Sequence, residues 1–353
     1  MKIGFVRRGY SPTGGAEAYL LRLAHGVAAE GHMPVLVASA DWPESKWPNE
    51  FVVHVAGGES PVRFACEAER AVSGCDTVFS MERVFSCDVY RAGDGVHRAW
   101  LERRAAFEPA WKRWLRWTNR KHRELLQLER CVFSPKHTRL VIANSRMVRD
   151  EIVAHYGYPA ECIEVIPNGY DASAPEPGLR ERRRAELGLA EDAFVALFAG
   201  SGWDRKGLRT AVEAISELPQ VNLLVAGKGK PFATPPNVKF LGPRSGLQAD
   251  FAAADVFVLP TFYDPFSNAC LEALAAGLPV LTTTANGFSE IVTDGVHGSI
   301  FEPGDVAGLV KALRFWEPRA ASAREECRTL AARYSVAENT RRTLEAITRT
   351  MPR

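Results

Sequence analysis

Residues 255–284, DVFVLPTFYDPFSNACLEALAAGLPVLTTT, decide the fold. An apolar run from Val256 to Leu259 reads as a buried strand, and a short polar loop follows it. A helix comes next, stopped by Gly277 and Pro279 before a second apolar run begins at Val280. In a strand–loop–helix–strand unit the helix N-terminus lies at the carboxyl end of the strand, where backbone N–H groups and the helix dipole favour an anion. Two carboxylates bracket that point, Asp264 in the loop and Glu272 on the helix, with Ser267 and Asn268 between them. A carboxylate can accept two hydrogen bonds at once, which suits the vicinal hydroxyls of a sugar or a ribose. By its residues alone the stretch also fits an ordinary helix start, in which Asp264, Ser267 or Asn268 is the cap, Pro265 lies in the first turn and Glu272 is solvated.

The whole chain is consistent with such units. Its 353 residues exceed one ordinary core and suit two α/β domains. A hydrophobic fraction of 46% with 24% charged residues is that of a globular protein rather than a disordered one. The net charge of +2 points to no polyelectrolyte partner, so nucleic acid is not expected. Seven cysteines are scattered with no Cys-x-x-Cys pair, which argues against a zinc ribbon and a disulfide framework, and for a reducing compartment. The opening MKIGFVRRGY has an apolar run too short for a signal peptide, and no run approaches a membrane span, so a cytoplasmic location is expected.

Going outward toward the N-terminus, Lys2 to Val6 reads as a first strand, followed by the loop RRGYSPTGGAEAY, a helix from about Ala16 to Glu30, and a strand over His32 to Ala38. Gly9, Gly14 and Gly15 do not form Gly-x-Gly-x-x-Gly, which disfavours a nicotinamide enzyme. The Gly14–Gly15 pair still allows a ligand close to backbone N–H groups, although such pairs are commonly turn residues. Further strands are expected at Phe51–Val55, Asp76–Met81, Leu140–Ala143 and Ile163–Ile166, with an insertion from Tyr90 to about Arg130. The insertion opens with Gly93-Asp94-Gly95, a sharp turn, and His97 follows. Its stretch from Leu101 to Gln127 is expected to be an amphipathic basic helix with Trp111, Trp114 and Trp117 near one face. Such a helix suits either an anionic membrane interface or packing onto its own domain.

Toward the C-terminus, Pro167 to Asp171 (PNGYD) and the Pro-rich Ala172 to Gly178 mark a linker. A helix is expected around Leu179–Leu187, and strands at Phe194–Ala199, Val221–Ala226, Val238–Leu241 and Gly298–Phe301. Helices over Gly304–Phe315, Arg319–Tyr334 and about Val336–Thr350 close the chain. The loop GSGWDRKG places Arg205 and Lys206 beside a helix start, a pairing suited to a diphosphate: Arg bridges two oxygens and Lys supplies a point charge. A basic pair in a loop is also an ordinary solvated surface.

Taken together these segments resemble family 4 of the retaining glycosyltransferases, and the resemblance spans nearly the whole chain. It rests on the acid–seven residues–acid pattern from Asp264 to Glu272, Gly14-Gly15-Ala16-Glu17, Arg205-Lys206 and the PNG-x-D linker. What it implies is the α/β GT-B fold, two Rossmann-like domains facing across a cleft. Residues 1–170 would be the acceptor-binding domain and residues 171–335 the nucleotide-sugar domain, with a C-terminal helix, about 336–353, crossing back onto the first. By the same resemblance Asp94, His97, Arg205, Lys206 and Asp264 are the catalytic candidates. Gly14, Gly15, Arg205, Lys206, Arg244, Phe266, Ser267, Asn268 and Glu272 are the candidates for holding the donor. The sequence departs from the family in one respect: the first acid is Asp264 where a Glu is usual.

The implied activity is metal-independent transfer of a hexose from a nucleotide-sugar, a UDP-sugar such as UDP-glucose, to a saccharide or lipid-linked saccharide acceptor in lipopolysaccharide core or other envelope glycan synthesis. No Asp-x-Asp motif is present, so no metal and no cofactor beyond the donor substrate are expected. The basic segment makes peripheral contact with an anionic membrane surface a further expectation. Two other functions fit the same residues: a sugar-nucleotide epimerase of the same fold, and an inactive sugar-nucleotide-binding scaffold.

Overall fold

The computed structural model describes residues 1–11, 15–55, 60–105, 119–172, 176–244 and 246–350. The chain forms two compact units, residues 1–169 with 336–353, and residues 170–335.

The first unit holds β1 (Lys2–Val6), α1 (Gly15–Ala29), β2 (Met33–Ala38), β3 (Val52–His54), α2 (Pro61–Ala71), β4 (Thr77–Ser80), β5 (Cys87–Arg91), α3 (His97–Ala105), α4 (Arg120–Val132), β6 (Thr138–Ala143), α5 (Arg146–Tyr156) and β7 (Ile163–Val165). Its strands form one parallel sheet in the order β3-β2-β1-β4-β5-β6-β7. Helices cover a parallel sheet on both faces, so its inner strands are largely buried; β1 buries every residue after Lys2. From β1 the chain winds outward through β2 and β3, then returns to lay β4 on the other side of β1. The direction reverses between β1 and β4, the point at which open α/β sheets generally take a ligand beyond the carboxyl ends of the strands.

Two expectations are corrected in this unit. The segment taken as an insertion from Tyr90 begins inside a central strand, because Tyr90 and Arg91 belong to β5. The basic segment after it is not one helix: Asn119, in an extended conformation, interrupts it and caps a new helix by accepting from the His122 N–H. Trp111, Trp114 and Trp117 fall outside the described residues.

The second unit comprises α6 (Leu179–Leu187), β8 (Phe194–Ala199), α7 (Trp203–Lys206), α8 (Leu208–Ser216), β9 (Val221–Ala226), β10 (Val238–Gly242), α9 (Gln248–Ala253), β11 (Val256–Leu259), α10 (Asn268–Ala275), β12 (Val280–Thr283), β13 (Gly298–Phe301), α11 (Val306–Trp316) and α12 (Arg324–Ala331). The helix expected over Arg319–Tyr334 is thus confined to α12. All six strands are parallel, ordered β10-β9-β8-β11-β12-β13, and the reversal of direction falls between β8 and β11. Helix α10 ends in a Schellman motif: Gly277, at φ +86°, donates to Leu274 O at 2.9 Å, and Leu278 donates to Ala273 O at 2.9 Å. The glycine supplies the left-handed turn that drops the chain directly into β12.

A last helix, α13 (Val336–Arg349), belongs to the first unit. Asn339 ties it there, accepting from Tyr19 Oη at 3.1 Å and donating to Pro167 O at 2.6 Å. Ala346 and Ile347 are fully buried in the core that holds Ile3, Phe5 and Leu20. Its contact with α1 is close at Gly26, where a Cβ would stand 2.6 Å from Thr340 Cγ2. Among the described residues no helix is long and apolar enough to cross a membrane.

Candidate functional site

In the second unit, charge converges at the β8/β11 reversal. The loop after β8 runs into the single turn α7, which carries Arg205 and Lys206, and Gly207 ends it at φ +77°. A Cβ on Gly207 would lie 2.0 Å from Pro260 O, so only glycine lets this turn lie against the end of β11. The turn is fastened there: Arg205 O accepts from Phe262 N at 2.9 Å and from Thr261 Oγ1 at 2.9 Å, and Arg205 Nη1 donates to Tyr263 O at 2.8 Å. Lys206 Nζ bonds Asp264 Oδ2, and Arg205 Nη1 stands 4.0 Å from the same oxygen. Asp264 is buried, and its backbone bridges to the segment after β12, donating to Ala285 O at 3.0 Å and accepting from Gly287 N at 2.9 Å.

Asp264 is therefore a side chain aimed at cations and not the helix cap. Ser267 is the N-cap of α10, and its hydroxyl accepts no capping hydrogen bond from the first-turn N–H groups. Buried Asn286 organises the loop from behind: its Oδ1 accepts from Ser267 N at 3.4 Å and Phe288 N at 3.1 Å, and its Nδ2 donates to Thr282 Oγ1 at 3.0 Å. Phe266 is buried against Phe288, rings 5.6 Å apart, so it supports the loop from the core side. Burial pushes the Cys270 thiol up to about 12, which removes it as a nucleophile. Glu272 is half-buried one turn into α10. It lines a cavity of ≈ 1020 Å³ together with Gln248, Phe251, Arg324 and Arg328, whereas Arg205, Lys206, Asp264 and Ser267 do not. That hollow lies between α6, α9, α10, α12 and the segment before α6, apart from the charges that converge at the strand ends. Arg244, after β10, reaches back to Asp250 at 3.6 Å.

In the first unit the β1/β4 reversal carries a second cluster. Arg7, the first residue past β1, meets Glu17 of α1 at 2.9 Å, Glu82 beyond β4 at 3.0 Å and Asp94 beyond β5 at 3.3 Å. Burial works against the charge on Arg7, but Asp94, Glu82 and Glu17 together raise its pKa, so it stays a cation. Burial, partly opposed by Arg7, raises Glu82 above the usual carboxylate range, and Asp94 adds to the rise. The Asp94 side chain is 48% exposed, the most accessible of the three acids.

His97 goes elsewhere. It opens α3 and its Nε2 lies 3.0 Å from His122 Nδ1 on α4. Burial, reinforced by Arg83, lowers its pKa to about 4, so it is neutral at pH 7. Gly15 opens α1, and Gly14 lies outside the described residues. Sequence reasoning did not single out Arg7 or Glu82. The available signal was position, since each lies one or two residues past a strand that borders the reversal. No group of three or more potential metal ligands occurs among the described residues.

Residues 13–174 match the family described as Glycosyltransferase Family 4, and residues 193–316 match that described as Glycosyl transferases group 1. Lipopolysaccharide glucosyltransferase WaaG of Escherichia coli (strain K12) is 28% identical over 342 residues, which cover 89% of each chain. D-inositol 3-phosphate glycosyltransferase of Streptomyces avermitilis is 34% identical over 212 residues, but only 46% of its length is matched. Among solved structures, the crystal structure of WaaG, a glycosyltransferase involved in lipopolysaccharide biosynthesis, superposes with a TM-score of 0.81 at 24% identity, over 98% of this chain and 99% of that one. Anabaena Alr3699/HepE in complex with UDP-glucose gives a TM-score of 0.74 at 20% identity, over 99% and 100%.

Proposed function

The chain belongs to the family 4 glycosyltransferases of GT-B fold, and from that premise we propose that it is a retaining, metal-independent hexosyltransferase acting in lipopolysaccharide core synthesis. The donor is a UDP-hexose, UDP-glucose first, and the acceptor a lipid-linked saccharide. The observation that carries this reading is the meeting of Lys206, Arg205 and Asp264 at the β8/β11 reversal, beside the N-terminus of α10. Likeness to WaaG along 89% of both chains favours the acceptor class, and a neighbour that holds UDP-glucose favours the donor.

In this reading Lys206, Arg205 and the α10 N-terminus take the donor diphosphate, Glu272 the ribose hydroxyls, and Asp264 the hexose. The bond from the anomeric carbon to the β-phosphate oxygen breaks through an oxocarbenium-like state. The acceptor oxygen bonds the same face of that carbon, and its proton passes to the departing diphosphate, which leaves as UDP. The protein's share is charge stabilisation and positioning, with no covalent protein intermediate. Asp94 and His97 are assigned to the transferred sugar; of the two, Asp94 presents the accessible group and His97 a neutral imidazole already engaged by His122. The basic segment from Arg98 to Arg123 supplies contact with an anionic cytoplasmic leaflet.

The test is release of UDP from UDP-glucose, with lipopolysaccharide truncated at the inner core as acceptor, in the presence and absence of EDTA. Acceptor-dependent release with an α-linked product, unaffected by EDTA, supports the proposal. Inverted stereochemistry, loss on chelation, or release without acceptor counts against it.

A further inference from the structure

Asp94 sits on a turn whose backbone is gripped at four points. Gly93 O accepts from Asn144 Nδ2 at 3.1 Å, and Gly95 O accepts from Arg83 Nη2 at 2.8 Å. The N–H groups of His97 and Arg98, which open α3, donate to Glu129 Oε1 at 2.6 Å and Oε2 at 3.0 Å. Glu129 comes from α4, 35 residues further along the chain than Asp94, and is fully buried. Its remaining lone pairs accept from Arg83 Nε at 2.9 Å and Tyr156 Oη at 2.6 Å. One buried ion pair thus holds the chain on the C-terminal side of Asp94, and Asn144 holds the other side, in a turn that needs a left-handed glycine, Gly95 at φ +68°.

A buried carboxylate and guanidinium carry a heavy desolvation cost, and an apolar pair of similar volume often serves stability as well. What an apolar pair cannot do is fix carbonyls and N–H groups in place. The Asp94 carboxylate, by contrast, is nearly half exposed and meets Arg7 at 3.3 Å. The turn is immobilised from below, and the one accessible acid on it faces outward.

We infer that Glu129, paired with Arg83, is a positioning residue for the transfer reaction: it touches no reacting atom and sets where the Asp94 carboxylate stands. The inference rests on the reading of Asp94 given under Proposed function. Misplacement of a reacting or orienting group by about 1 Å can cost about a hundredfold in rate. Loss of a positioning residue therefore shows mainly in kcat and little in donor KM, since the groups given the donor's diphosphate and ribose, Arg205, Lys206 and Glu272, belong to the second unit.

The experiment compares Glu129→Gln, Arg83→Lys, Tyr156→Phe and Asp94→Asn in the full chain. It measures kcat and donor KM by UDP release from UDP-glucose with truncated lipopolysaccharide, and amide hydrogen exchange over residues 93–98. Glu129→Gln keeps shape but loses the charge. Arg83→Lys keeps the charge but lacks the fork that reaches Gly95 O, and serves if the first variant does not fold. Expected are a fall in kcat of about a hundredfold in Glu129→Gln and Arg83→Lys, donor KM within a few-fold, and faster exchange at 95–98. Tyr156→Phe, which leaves the turn's own bonds in place, should change kcat at most a few-fold. Wild-type kcat and exchange in both variants overturn the inference, as does a rise in donor KM that matches the loss in kcat. If Asp94→Asn itself turns over normally, the role given to Asp94 falls; unchanged exchange in Glu129→Gln then overturns the hold on the turn, and faster exchange sustains it.

Discussion

Lys206 and Asp264 are bonded to one another across the reversal of the second sheet, with Arg205 4.0 Å from the same carboxylate oxygen. As folded, the cation assigned to phosphate is thus neutralised by the acid assigned to sugar. A diphosphate must draw Lys206 away from Asp264 or share it, and the two residues should respond differently to substitution.

Asp264→Asn releases Lys206 from its pair. UDP alone is expected to bind at least as tightly as to wild type, while transfer falls by two orders of magnitude or more. Lys206→Ala should weaken UDP binding and lower transfer together, by about 2–4 kcal/mol of transition-state stabilisation as for a lost oxyanion donor. It also leaves the buried Asp264 carboxylate with Arg205 at 4.0 Å in place of a bonded cation, so its Tm should drop. Calorimetric titration with UDP beside a turnover assay checks both, and weaker UDP binding in Asp264→Asn would contradict this account of the pair.

Gly207→Ala should destabilise the second unit well beyond an ordinary glycine replacement. The left-handed backbone costs an alanine about 1–2 kcal/mol, and the 2.0 Å approach to Pro260 O adds a steric clash with backbone. Gly188 is the control, with φ +65° and nothing within 4 Å of its would-be Cβ. Thermal unfolding should place Gly207→Ala clearly below Gly188→Ala; equal Tm values would show that the loop relaxes freely.

His97 makes stability depend on pH. Its pKa is about 4 in the folded chain against an ordinary 6.5, so between these values the unfolded state holds the extra proton. The contribution is complete above about pH 6.5 and is lost as the pH falls toward 4, by about 3 kcal/mol at most. The drop in Tm from pH 7.5 to pH 5 should therefore be smaller in His97→Gln than in wild type. Identical drops would mean that His97 is not the group responsible.

From Arg98 to Arg123 nine cations face two carboxylates, a surplus of seven in a chain whose total is +2. Each cation near an anionic surface contributes about 1 kcal/mol, within a Debye length. Binding to anionic but not zwitterionic vesicles is expected at low salt, lost at high salt and lost in a Lys112, Arg113, Arg116→Glu triple variant. Equal sedimentation with both vesicle types, or with neither, favours a segment packed on its own domain.

Uninterrupted apolar runs were the legible part of the fold. β8 and β11 begin and end where their runs do, and β1 does so apart from Lys2, because a strand covered on both faces has no polar positions to hide it. β5 was missed for the opposite reason. Its sequence CDVYR carries Asp88 and Arg91, and only tertiary partners reconcile them with a strand. Asp88 accepts from Val78 N at 2.9 Å. Fully buried Arg91 reaches Ile166 O at 3.1 Å and Asn168 Oδ1 at 2.5 Å, and stacks on Tyr19 at 4.5 Å. The partners of Arg91 lie more than seventy residues away in the chain, where no local pattern points to them. The same holds at the site: the composition of GSGWDRKG suggested a phosphate loop, but the Lys206–Asp264 bond, the Arg7 cluster and the hold of Glu129 on the Asp94 turn are all long-range.

The return of α13 to the first unit bears on the order in which the molecule is made. A chain emerging from the ribosome presents all seven strands of the first sheet before any strand of the second. Yet the groove on α1 at Gly26, and the partners of Tyr19 and of Pro167 O, are supplied by Asn339, Thr340 and their neighbours, which are synthesised after the second unit is complete. Domains commonly fold as they appear, the N-terminal one first. Here the half translated first is the half finished last, and until its closing helix arrives it shows the ribosome's surroundings an apolar seam that a chaperone can hold.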